Sequence, residues 1–164
     1  MYAVMYHSPV GKLLLTCRQE GLTGIWFDRE IPAETRQEDH PVLQRTKRWL
    51  DDYFRGENPV MDIPFLLEGT PFQKQVWLSL LDIPYGQTRS YGEIAREMAA
   101  FCGKESMSAQ AVGQAVGKNP ISILLPCHRV IGAKGQLTGY GGGMDRKIFL
   151  LRHEGRNVEN NYVR

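Results

Sequence analysis

Hydrophobic residues in this chain change their spacing once, and that change decides the fold class. Up to residue 27 they come in short runs, Ala3–Tyr6, Leu13–Cys17 and Leu22–Phe27, separated by Ser8-Pro9-Val10-Gly11 and Gln19-Glu20-Gly21. Short Leu-, Val- and aromatic-rich runs joined by turn residues predict hairpins in an antiparallel sheet. From residue 41 onward the apolar residues recur at threes and fours, the period of a helix with one buried face. Strands gathered ahead of helices predict an α+β chain.

The first helix is expected between Pro41 and Gly56, with Leu43, Trp49, Leu50, Tyr53 and Phe54 as its stripe. Proline suits the first turn of a helix and glycine the position just past its end. Packed on the strands, this helix completes a small α/β unit over residues 1–62, with the charged stretch Asp28–His40 as loop or surface. Glu57–Glu68 contains two prolines and is read as the connection, with the linker proper at 63–68. A mainly helical domain is expected over 69–160. Thr70-Pro71 opens its first helix, with Phe72, Val76, Trp77, Leu80 and Leu81 inward and Ile83-Pro84-Tyr85-Gly86 as the stop. Ser90 caps a helix over Tyr91–Ala99, and Ser108–Val116 forms another. Two short helices joined by a turn have the outline of a helix-turn-helix. The second offers no Arg, Lys or Asn for base edges: Val112 and Val116 point inward and Gln110, Gln114 and Lys118 outward. Any docking by this helix is therefore expected to be independent of base sequence.

With 42% hydrophobic and 23% charged residues among 164, the chain has the composition of a folded protein with a core. No apolar run approaches the roughly 20 residues of a membrane helix, and no export-type start is visible. Residues 1–68 hold 8 basic and 11 acidic side chains, whereas residues 69–164 hold 12 and 7. The basic excess lies in the second part. A polyanionic partner is one reading of it, and ordinary surface scatter is the other. Cysteines stand at 17, 102 and 127, a spacing that fits neither a disulfide framework nor a zinc ribbon. The expectation is a reducing, cytoplasmic setting in which any special cysteine is special for reactivity.

The segment Asn119–Gly132 carries the chemistry. An apolar run delivers Pro126-Cys127-His128-Arg129 and returns to Val130-Ile131. A free thiol ionises near pH ~8.5, and a neighbouring imidazole or positive charge raises the thiolate fraction. Taken alone, Cys127 fits a core filler as well as a nucleophile. A second oddity lies at Arg152-His153-Glu154-Gly155, which closes a helix begun near Met144. A carboxylate at the negative end of the helix dipole calls for compensation. The logic of nucleophile, base and orienting carboxylate gives Cys127–His128–Glu154, although a solvated helix end gives the same sequence. Between them, Thr138-Gly139-Tyr140-Gly141-Gly142-Gly143 is either a loop that approaches a ligand closely or simply a flexible one.

Pro126-Cys127-His128-Arg129-Val130 resembles the active-site motif of the O-alkylguanine-DNA alkyltransferases, the methylated-DNA–protein-cysteine methyltransferases. Pro71-Phe72 with Val76-Trp77, Ile83-Pro84-Tyr85-Gly86, Ser90-Tyr91-Gly92-Glu93-Ile94-Ala95, Ala111-Val112-Gly113, Asn119-Pro120, Thr138-Gly139-Tyr140 and Arg152-His153-Glu154-Gly155 follow in the family's order. The resemblance is strong over about residues 70–155 and loose over the N-terminal strands.

The resemblance implies a ribonuclease-H-like N-terminal domain and a C-terminal domain with a winged helix-turn-helix. It implies repair of DNA carrying an alkyl group on the exocyclic oxygen of guanine, less readily of thymine. The alkyl group moves to Cys127 as a thioether. His128, polarised by Glu154, deprotonates the thiol through a water. Asn119 braces the turn, and Tyr91 donates to the departing guanine. Val116, Val130, Tyr140, Gly141 and Gly142 line the base pocket. The helix at 108–116, through Ala109, Gln110, Ala111 and Gln114, enters the minor groove of double-stranded DNA as the target base is flipped out. The same chemistry implies one turnover per molecule with no metal and no cofactor, and a monomer is expected. Many family members have Arg where Gln110 stands, which implies slower or weaker flipping. The zinc ligands of some members are not apparent. Three other readings remain: a binder of alkylated bases that does not repair, a helix-turn-helix regulator, and a cysteine hydrolase. The binders lack the cysteine, and a hydrolase needs an oxyanion hole.

Overall fold

A computed structural model describes residues 1–164, which form two compact units. One comprises Met1–Glu68 with Pro120–Ser122, the other Gly69–Asn119 with Ile123–Arg164. The fold is α+β.

In the first unit, β1 (Tyr2–Ser8), β2 (Gly11–Arg18) and β3 (Gly21–Phe27) form an antiparallel sheet in the order β1-β2-β3. Tyr2 pairs with Cys17 and Ser8 with Gly11, so the first turn is the tight one the sequence predicts. A bulge between Thr16 and Cys17 shifts the β2–β3 register. The edge of β3 is not left bare. Leu22 exchanges backbone bonds with Pro64 and Leu66, and Ile25 with Pro120 and Ser122. Covering an edge in this way blocks strand addition by another chain. Helix α1 (Pro41–Phe54) packs on all three strands. Its buried residues are Val42, Leu43, Thr46, Trp49, Leu50 and Tyr53, whereas the expected Phe54 is only partly covered and meets the Tyr53 ring edge-on. The cap is an imidazole: His40 Nδ1 accepts from the Val42 amide at 3.1 Å.

In the second unit, α2 (Pro71–Leu80) begins with a reciprocal capping box, Thr70 Oγ1 accepting from the Gln73 amide and Gln73 Oε1 from the Thr70 amide. Val76, Trp77 and Leu80 are buried as expected; Phe72 is half-buried and Leu81 exposed. A two-residue strand, β4 (Arg89–Ser90), leads into α3 (Tyr91–Phe101), and α4 (Ala109–Gly117) follows a turn. Ser90 and Ser108 cap these helices, each hydroxyl accepting an amide three residues on. Trp77 Nε1 donates to Ala115 O at 2.8 Å in the buried seam where α2 and α4 meet. Strand β5 (Val130–Ile131) pairs with β4 in parallel, bringing Val130 beside Arg89 and Ile131 beside Ser90.

Helix α5 (Met144–His153) is followed by a hairpin, β6 (Val158–Glu159) and β7 (Tyr162–Val163). Asn160 and Asn161 form its two-residue turn with φ of 52° and 62°, the left-handed pair that hairpin turns require. Val158 and Val163 close a cluster with Ile131, Leu137 and Leu151. The sequence analysis did not anticipate this hairpin: two-residue strands present no alternation to read. No helix is long and apolar enough to cross a membrane.

Candidate active site

The site is built on the turn between α4 and β5. Asn119, buried after the end of α4, donates from Nδ2 to Leu125 O at 2.7 Å and holds the segment 119–125 as a closed loop. Within it Ile123 has φ of 73°, a left-handed backbone that a β-branched residue adopts only under strain. The Cys127 amide then donates to Leu125 O at 2.7 Å around Pro126, whose φ of −80° and ψ of 67° make an inverse γ-turn. Cys127–Arg129 forms one 3₁₀ turn, and the chain leaves as β5. Two successive tight turns thus fix the Cys127 backbone.

Cys127 is buried. Burial pushes its thiol up; hydrogen bonds with the Asn119 and Tyr140 side chains and the charge of Lys147 pull the other way without cancelling it. The thiol therefore rests protonated, and sequence adjacency to an imidazole does not ionise it. The reason lies in His128 itself, whose side chain is 0% exposed. Burial lowers its pKa; the Glu154 hydrogen bond and charge oppose this, and the charges of Arg129 and Lys147 add to it. The imidazole is neutral. Its Nε2 lies 2.6 Å from Glu154 Oε2, so the ring proton sits there, while the buried Nδ1 keeps its lone pair and has no protein partner.

Glu154 ends α5 as its C-cap. The compensation that the helix dipole demands comes from more than the imidazole. Arg129 Nε donates to Oε1 at 2.7 Å, Arg129 Nη2 to Oε2 at 3.1 Å, and the Gly86 amide to Oε1 at 3.2 Å. Burial opposes ionisation of the carboxyl, but His128 and Arg129 outweigh it and hold the group well below its usual range.

Lys147 is a buried charge at the site that the sequence did not single out. It is fully buried on α5, and its Nζ donates to Val130 O at 2.6 Å. The ammonium lies 5.7 Å from the centre of the Tyr91 ring and 6.0 Å from that of Tyr140. Burial pulls its pKa down to about 8, against the opposing influence of Cys127. The signal was available: Lys147 falls in the 144-147-148-151 row of α5, where only apolar side chains are expected.

The remaining residues divide into two groups. Tyr91, the first residue of α3, is brought in by the β4–β5 pairing; burial raises its phenol, a hydrogen bond with the Thr138 side chain lowers it, and Cys127 raises it. Val130 and Val116 are buried, and Tyr140 is half-buried. Gly141 lies beside the end of α4, where an added Cβ would stand 3.4 Å from Gly117 O; Gly142 neighbours it in the same loop. The second group is a row on α4 at the surface: Ala109, Gln110 and Gln114 are exposed and Ala111 is half-covered.

Comparison with known proteins gives the chain its family. Residues 71–156 match the model of the 6-O-methylguanine DNA methyltransferase DNA-binding domain, and residues 1–67 that of the ribonuclease-like domain of the same proteins. The chain belongs to the 6-O-methylguanine DNA methyltransferase family. The methylated-DNA–protein-cysteine methyltransferase of Methanosarcina acetivorans is 44% identical over 160 residues, covering 94% of this chain and 99% of the relative. The corresponding protein of Mycobacterium tuberculosis strain H37Rv is 46% identical over 150 residues, covering 90% and 88%. Among solved structures, the Mycobacterium tuberculosis OGT in complex with DNA superposes with a TM-score of 0.82 at 44% identity, covering 94% of this chain and 92% of that one. An O6-methylguanine DNA methyltransferase from Methanococcus jannaschii gives 0.67 at 28% identity, with 96% of each chain covered.

Proposed function

We propose that this member of the family repairs double-stranded DNA by direct reversal, moving an alkyl group from the exocyclic oxygen of guanine to Cys127 Sγ. The observation that carries the reading is the contact between His128 Nε2 and Glu154 Oε2 at 2.6 Å. It fixes the tautomer and leaves Nδ1 as the acceptor. A buried polar atom of this kind is where a bridging water sits. Through that water the thiol proton passes to Nδ1, so the thiolate forms only when it is used. Sulfur attacks the alkyl carbon, the carbon–oxygen bond breaks and a carbon–sulfur bond forms. The electron pair goes to the guanine, which takes a proton from the Tyr91 hydroxyl. Asn119 keeps the nucleophile in position. Val116, Val130, Tyr140, Gly141 and Gly142 enclose the base, which must leave the stack for its oxygen to be reached. Ala109, Gln110, Ala111 and Gln114 on α4 meet the DNA, and residues 69–160 carry both tasks.

A thioether is not displaced by water, so each molecule acts once. The need for a reduced thiol favours a reducing, cytoplasmic setting. The test is incubation with duplex DNA containing 6-O-methylguanine, followed by digestion and mass spectrometry. One methyl group on the Cys127 peptide in stoichiometric amount is expected. A gel shift with no adduct would mark a binder, and continued turnover would mark a hydrolase.

A further inference from the structure

The proposed mechanism gives Arg129 no part, yet it is among the most constrained side chains in the site. Its guanidinium places Nε and Nη2 on the two oxygens of Glu154 and Nη1 on Ile83 O at 2.7 Å, and it lies 5.7 Å from the centre of the Tyr85 ring. A planar fork bound on three sides has no other position to take.

We propose that Arg129 is a positioning residue: by occupying both oxygens of Glu154 it keeps the His128–Glu154 pair from taking up an extra proton, so that His128 remains a base. This rests on the reading of His128 as the group that receives the thiol proton.

The argument is one of charge. A buried carboxylate needs a matching positive charge, and two groups in contact with Glu154 are able to supply one. If His128 supplied it, the ring would already carry two protons and accept none from Cys127. The Arg129 guanidinium, set against both oxygens of Glu154, relieves the imidazole of that duty. The other groups facing His128 do not reverse this. Lys147, from α5, is positive and also disfavours imidazolium. Tyr85, from the turn after α2, faces the same ion pair, and burial and Glu154 keep its phenol protonated.

The test uses the full chain with isotope-labelled histidine rings and glutamate carboxyls, followed by NMR from about pH 5 to about pH 9. In the wild type the pair carries one proton, on Nε2, throughout. Arg129→Lys keeps the charge and should leave that proton count unchanged at neutral pH. Arg129→Gln keeps donors but not charge, and the pair should carry a second proton at neutral pH, where the wild type carries one, a change in occupancy of at least about tenfold. Single-turnover methyl transfer by Arg129→Gln should fall at least about tenfold at neutral pH and recover as pH rises. A role in folding alone would lower stability without moving the pH profile. An Arg129→Gln pair that carries one proton at neutral pH, as in the wild type, overturns the proposal. If that variant does not fold, Arg129→Met combined with Glu154→Gln removes both charges. A neutral His128 is expected there, and an imidazolium would overturn the proposal. Proton counts are read whether or not Cys127 is methylated, so failure here is separable from failure of the repair reading.

Discussion

The ammonium of Lys147 donates to the carbonyl of Val130 at 2.6 Å inside the core, on the same turn of chain that carries Cys127. Keeping a lysine there costs stability. Folding lowers its pKa from 10.5 to about 8, a difference worth about 3 kcal/mol. Below pH 8 both states are protonated and the full penalty applies. Between 8 and 10.5 the unfolded chain binds the proton and the native one does not, so stability from this group rises with pH. Lys147→Met should therefore stabilise the protein at neutral pH by about 2 kcal/mol, the lost hydrogen bond offsetting part of the gain. It should also slow methyl transfer at least about tenfold, because a positive charge facing the thiolate is gone. Urea unfolding and single-turnover kinetics on one preparation check both. A variant that is less stable and equally active contradicts the account.

Glu154 works in the opposite direction. Its folded pKa lies below the ordinary 4.5, so the stability it confers is present above that value and is lost as pH falls through the folded pKa. Wild-type unfolding free energy should drop steeply below about pH 4.5. Glu154→Gln leaves Arg129 charged and buried, and should cost about 3–5 kcal/mol at neutral pH. Its acid limb should be shallower, because the group that titrates is missing. Denaturant melts between neutral pH and about pH 3 give the comparison, and parallel acid limbs would assign the pH dependence to other carboxylates.

How much of this was legible depended on the kind of signal. Three strands, five helices and two of the caps followed from period and turn chemistry, because Thr70 and Ser90 each precede a helix in the position a cap requires; Ser108, read as the first helical residue, is itself the cap. The His128–Glu154 contact was legible because an acid at a helix end demands a partner. The state of the thiol was not. Adjacency in sequence says nothing of burial, and burial decides that Cys127 and His128 are both neutral. Arg129 and Lys147 escaped because their roles depend on which oxygen each nitrogen reaches, a matter of tertiary geometry. The β6–β7 hairpin escaped because its strands are two residues long.

That hairpin yields a prediction of its own. Gly135 has φ of 82°, and a Cβ added there would lie 2.4 Å from Val163 O, a backbone atom with no freedom to yield locally. Leu137 donates to Asn161 O at 2.8 Å in the same seam. Gly135→Ala should therefore cost about 2–3 kcal/mol, combining left-handed strain with a steric clash. Hydrogen exchange should show faster exchange at the Leu137 amide than at the amides of α2. A stability change below about 0.5 kcal/mol would mean that the hairpin does not hold the 132–137 turn.

Gln110 stands exposed on α4. The exposed position predicts that Gln110→Arg leaves stability within about 0.5 kcal/mol. On the DNA-facing reading of α4, the new charge meets a phosphate or the space left by the flipped base. Each added phosphate contact releases about one counterion, so the salt dependence of binding should steepen by about 0.9 in log–log slope. Affinity for an undamaged duplex should rise at low salt and converge with the wild type as salt increases. The rate of methyl transfer from 6-O-methylguanine duplex should rise as well if extrusion limits the reaction. Equal salt slopes for the two proteins would remove α4 from the DNA interface. A steeper slope with an unchanged rate would keep α4 there and assign the slow step to chemistry at Cys127.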